Sequence, residues 1–79
     1  MTLITIDATT VADVLRATRG AAGYSARGIA PLIGVSHGTV SSWERGMGEP
    51  SISQFIRWAE VTGQPAGQLL QGIAPAVAA

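Results

Sequence analysis

From Val11 onward the apolar residues of this chain recur at helical spacing, in short blocks separated by glycines. Val11, Val14, Leu15 and Thr18 trace one face. Ile29, Ala30, Leu32 and Ile33 trace a second. Val40 and Trp43 form a narrow third stripe. Ile52, Phe55, Ile56 and Ala59 keep i, i+3, i+4, i+7 spacing, the clearest amphipathic pattern in the chain. Leu69 and Leu70 close a fifth block. Each of the first four blocks follows a hydroxyl residue suited to an N-cap: Thr10, Ser25, Ser36 and Ser51. Pro65 suits the first turn of the fifth. Glycines stand where helices must stop: Gly20 or Gly23, then Gly34, Gly46 and Gly63. The pattern predicts an all-α fold of five short helices with tight connections.

Two stretches depart from it. Residues 2–6, TLITI, are β-branched or Leu only and favour a strand from Thr2 to Ile6. A lone strand must add to a sheet, and the chain offers no second one. The alternatives are pairing with the same strand of a second copy, or an unstructured arm. Pro31 lies inside the second helical block, where it removes a hydrogen bond and crowds the carbonyl of Arg27. A kink or a loosened last turn is expected there. The organisation that follows is an arm over 1–8, a helical domain over 9–72 and a small-residue tail over 73–79.

Helices two and three are joined only by Gly34, Val35 and Ser36, the signature of a helix-turn-helix unit. If the third helix packs on Val40 and Trp43, it turns His37, Gly38, Ser41, Ser42 and Arg45 outward. Short donors and acceptors on an exposed helix suit base edges in a major groove, which is wide enough to admit a helix. Gly38 keeps the profile low near the helix N-terminus, whose free N–H groups suit a phosphate.

Composition narrows the classes. The chain has 79 residues and no cysteine, which excludes disulfides and thiolate metal sites. His37 is its single histidine, and the carboxylates do not converge, so neither a metal site, a cofactor nor an enzyme is expected. No apolar run approaches the roughly 18 residues that span a membrane. The start lacks a basic region, so no secretory signal is read, and a cytoplasmic protein of a bacterial host cell is expected. Net charge is zero, which counts against nucleic acid. The distribution counts for it: all five basic residues, Arg16, Arg19, Arg27, Arg45 and Arg57, fall in a window holding only two acids, Glu44 and Glu49.

The stretch from Leu15 to Leu70 resembles, without a gap, the Cro/CI-type (Xre-like) helix-turn-helix family of phage and bacterial repressors. The matching pieces are GVS, WERG, the Pro-Ser pair before helix four and the final Leu-Leu. The resemblance implies a lambda-repressor-like domain with helix three as the recognition helix. It implies base contacts from His37, Gly38, Ser41 and Ser42. It implies backbone contacts from Ser36, Thr39, Arg45, Gly46 and Met47. It also implies an ion pair between Arg19 and Glu44, linking helix one to the end of helix three. Where the family often has Gln, this chain has Ala26, and Arg27 is expected to supply a phosphate contact instead. Thr62 and Ala66 stand where larger aliphatics are common, so loose packing of helix five is expected.

Trp43 and Trp58 read as core rather than as stacking platforms, and Arg16 and Arg57 as solvated surface residues. The function expected is a sequence-specific regulator of transcription, a Cro-like phage repressor. Its partner is a double-stranded DNA operator with two-fold symmetry, and no small-molecule ligand is expected. Binding as a homodimer would add the contacts of two half-sites. Pairing runs through the strand Thr2 to Ile6 or through helix five. The alternative is a protein-interaction module, an antitoxin or anti-repressor on the same fold.

Overall fold

The computed structural model describes residues 10–70. They form α1 (Val11–Ala22), α2 (Ala26–Ile33), α3 (His37–Glu44) and α4 (Ile52–Thr62), with a short α5 over 66–70. No strand occurs among the described residues. The expected arm and tail lie outside them, as does any test of the strand from Thr2 to Ile6.

Each helix begins as its local sequence dictates. The side chains of Thr10, Ser25, Ser36 and Ser51 each accept a hydrogen bond from the backbone N–H three residues on. Ser51 adds a full capping box, because Gln54 Oε1 accepts from the Ser51 N–H at 2.7 Å. The stops are equally local. Of the two candidates for ending α1, Gly20 lies inside the helix and Gly23 closes it. Gly34 ends α2 at φ +91, a left-handed conformation that any Cβ would disfavour. That residue turns the chain sharply enough for α3 to start only three positions later.

α2 does not end at Pro31 but runs through it to Ile33. Its last turn is held from beyond the proline, since the N–H groups of Gly34 and Val35 both reach the Ala30 carbonyl, at 2.9 and 3.1 Å. A donor from another helix joins them: Arg57 Nε gives a 3.0 Å bond to the Leu32 carbonyl.

The core lies between the helices. α3 packs against α1 and α2, and α4 packs against the same two from another side. Val14, Leu15, Ile29, Ala30, Val40, Trp43, Phe55, Trp58, Ala59 and Leu69 make one buried cluster. Trp58 is fully buried and meets Trp43 edge-on, with ring centroids 6.3 Å apart. Its indole N–H donates to Thr18 Oγ1 at 2.9 Å, and the Thr18 hydroxyl passes its own proton to the Val14 carbonyl at 2.8 Å. Thr62, in place of an aliphatic, satisfies its hydroxyl on the Trp58 carbonyl at 2.8 Å. Ala66 packs against the core, and Leu69 inserts into it.

Candidate nucleic-acid interface

α3 is positioned by the residues it buries. Val40 and Trp43 face inward, and Glu44 joins them, at 9% exposure. A buried carboxylate needs a partner, and α1 supplies it. Arg19 Nε donates to Glu44 Oε2 at 2.7 Å, and its second nitrogen donates to Oε1 at 2.8 Å. The same guanidinium gives its remaining nitrogen to the Tyr24 carbonyl at 2.9 Å. Arg19 thereby ties α1 to the start of α2 and to the end of α3. The hydrogen bond to Glu44 raises the Arg19 pKa above its ordinary value, partial burial opposes this, and the Glu44 charge adds to it. Truncating one partner of a buried pair costs about 3–5 kcal/mol, against about 0–1 kcal/mol for an exposed pair. With Glu44 buried and Arg19 mostly so, this pair belongs nearer the first case.

The outer side of α3 carries the remaining residues. Ser36, His37, Gly38, Arg45, Gly46 and Met47 are exposed, while Thr39, Ser41 and Ser42 are half-buried. Ser36 and Thr39 already bond one another: Ser36 Oγ accepts the Thr39 N–H at 3.1 Å and lies 3.0 Å from Thr39 Oγ1. Both therefore shape the start of α3 before any ligand arrives. Gly38 is not required by internal packing, because a Cβ built there would meet only Ser36 Oγ, at 3.8 Å.

At the other end the chain closes on itself. The Arg45 N–H reaches the carbonyls of Ser41 and Ser42, Gly46 reaches Trp43, and Met47 reaches Ser42 at 2.8 Å. Gly46 has φ +78, a left-handed conformation that favours glycine, and Arg45, Gly46 and Met47 are all exposed. An open cleft beside them is lined by Thr10, Ala12, Asp13, Arg16, Glu44, Arg45 and Gly46.

The five arginines divide by use. Arg19 is consumed by Glu44. Arg16 and Arg57 lie at the surface, as their spacing indicates, and each also reaches a neighbouring helix. Though half-exposed, Arg16 donates to the Glu44 carbonyl at 2.9 Å and Arg57 to the Leu32 carbonyl. Each satisfies a carbonyl at a helix C-terminus, where a cation is favoured. Sequence spacing hides both contacts, because the acceptor is backbone and lies 28 or 25 residues away. Among the described residues, Arg27 and Arg45 form no ion pair or side-chain hydrogen bond. Arg27 stands in the first turn of α2 and Arg45 just past α3, both exposed. These two keep their charge for solvent or a ligand.

Among the described residues no group of three His, Asp or Glu side chains could hold a metal ion. No helix there is long and apolar enough to cross a membrane. Set against family models, residues 15–69 match the one described as Helix-turn-helix, of the Xre-like kind. No curated protein matches the chain.

Proposed function

Because the chain belongs to the Xre-like helix-turn-helix family of DNA-binding transcription regulators, we propose that it acts as a Cro-like phage repressor. It binds a two-fold operator as a dimer, with α3 in the major groove. His37, Gly38, Ser41 and Ser42 meet base edges. Arg27, Ser36, Thr39, Arg45, Gly46 and Met47 lie along the phosphate backbone. Dimers form through the strand Thr2 to Ile6 or through α5, where Leu70 is exposed. Occupying promoter DNA in place of RNA polymerase suffices as mechanism, and the work is done in the cytoplasm of a bacterial host.

One observation carries this reading. Three arginines are engaged by groups of the domain itself, while the two left over stand exposed at helix ends, Arg27 in the first turn of α2 and Arg45 just past α3. Positive charge left unneutralised at such places is what a phosphate backbone recruits. Arg45→Ala should weaken binding to all sequences by a similar factor and flatten the slope of log K against log salt by about 0.9. Ser42→Ala or His37→Ala should instead change which sequence is preferred. Unchanged affinity in the first variant and unchanged preference in the others would refute the docking.

The second reading, an antitoxin or anti-repressor that grips a protein, draws on zero net charge and on the exposed apolar side chains of Leu32, Ile52, Ile56 and Leu70. Binding to DNA that stays insensitive to salt would favour it.

A further inference from the structure

The C-terminal carbonyls of α3 are not all closed by the backbone. Those of Ser41, Ser42 and Trp43 receive N–H groups from Arg45, Gly46 and Met47. The Glu44 carbonyl, last in the helix, receives Arg16 instead. Arg16 is itself held. Its other terminal nitrogen bonds Asp13 Oδ1, and Asp13 Oδ2 accepts the hydroxyl proton of Thr10 at 2.7 Å. Thr10 is the N-cap of α1. A continuous relay therefore runs Thr10, Asp13, Arg16, Glu44 carbonyl, from the N-cap of α1 to the last residue of α3. Its residues line the same open cleft as Arg45 and Gly46. Glu44 is gripped twice by α1: by Arg19 on its side chain and by Arg16, one turn earlier, on its backbone.

We infer that Arg16, aimed by Asp13, is a positioning residue for DNA binding: it fixes the Arg45–Gly46–Met47 segment where the phosphate backbone meets it. The inference rests on the proposed DNA-binding role. Its distinctive consequence is a sign. Asp13 is an acid near the bound polyanion, so by charge alone Asp13→Asn strengthens binding. By the relay, Asp13→Asn releases Arg16, loosens the end of α3 and weakens binding. The two effects oppose, and only the second needs Arg16.

The experiment measures the affinity of the full chain for its selected operator duplex at fixed salt. Four variants are used: Asp13→Asn, Arg16→Ala, Arg16→Lys and the Asp13→Asn/Arg16→Ala double variant. Thermal melts establish that each is folded. Asp13→Asn should weaken binding about twofold to fivefold, the upper scale for an exposed pair. In the Arg16→Ala background the same substitution should strengthen it. Arg16→Lys keeps the charge but loses the planar fork that reaches Asp13 and the carbonyl together, so it should bind more weakly than wild type. Amide resonances of Arg45, Gly46 and Met47, recorded without DNA, should move in Asp13→Asn. Tighter binding by Asp13→Asn in the wild-type background, or full activity of Arg16→Lys, overturns the inference and leaves the DNA-binding role standing. A wild-type chain that binds no duplex removes that role instead. The amide resonances then still decide whether Asp13 sets the end of α3, and unmoved resonances reject it.

Discussion

Thr18 looks like a minor member of an apolar face, yet it holds the largest buried side chain in place. Its hydroxyl takes the Trp58 indole N–H and gives its proton to Val14. Thr18→Val keeps the volume and deletes both bonds, leaving a buried indole donor without a partner. The expected loss is about 1–3 kcal/mol of unfolding free energy, read by urea denaturation. A loss within error would mean that the bond contributes nothing net. Gly38 makes the opposite case. No internal contact demands a glycine in this helix, and an alanine is a better helix former by about 0.5–1 kcal/mol. Gly38→Ala should therefore raise the melting temperature while lowering affinity for DNA, since the proposed docking brings a base or sugar against this position. A variant both more stable and equally tight in binding would remove Gly38 from the contact surface. At this scale the sequence was legible where a residue type has one dominant use. Val40, Trp43 and Trp58 fall in the core as their spacing indicates. Thr18 was placed on the correct face, but its bond joins residues 40 apart, and no local pattern encodes that.

The helices themselves are written almost entirely in local chemistry. Hydroxyl N-caps open α1 to α4, and glycines close α1, α2 and α4 while Gly46 follows Arg45 after α3, because each device needs only residues three or four positions away. What the pattern omits is how one helix completes another. Arg16 and Arg57 each cap a neighbouring helix through its backbone, and a carbonyl has no sequence identity to read. The run of α2 through Pro31 belongs here as well: the proline removes the usual donor to the Arg27 carbonyl, while Gly34, Val35 and Arg57 close the last turn on the carbonyls of Ala30 and Leu32. The start of α1 carries its own pH signature. The Thr10 hydroxyl, and then Arg16, hold the Asp13 carboxyl below its ordinary value of 3.8. A depressed pKa in the folded state means stabilisation that is full above the ordinary value and lost as pH falls through the lower, folded one. Wild type and Asp13→Asn should thus differ in melting temperature near neutrality and converge in acid. A gap that persists after both carboxyl states have been passed would assign the difference to something other than ionisation.

The whole molecule is a small helical frame that presents one short helix, and its neutral net charge conceals how the charge is used. Three arginines pair with Asp13, Glu44 and Glu60, and the overall balance says nothing about where the remaining two, Arg27 and Arg45, stand. This is why composition alone argued against nucleic acid while the local pattern argued for it. The fold and the inward side of α3 could be read from spacing, and the family model covers the same stretch. The outward side could be read only as a set of candidates, because exposure is necessary for contact and not sufficient. In the proposed dimer, two copies of such a frame would each add a half-site and so raise the affinity above that of one copy. The measurement that tests this account most directly is selection of bound duplexes from a random DNA pool, followed by sequencing. The account predicts an enriched palindrome whose half-site centres lie about one helical turn, roughly 34–36 Å, apart. A pool that shows no enrichment, even at low salt, would contradict it and hand the exposed face of α3 to a protein partner.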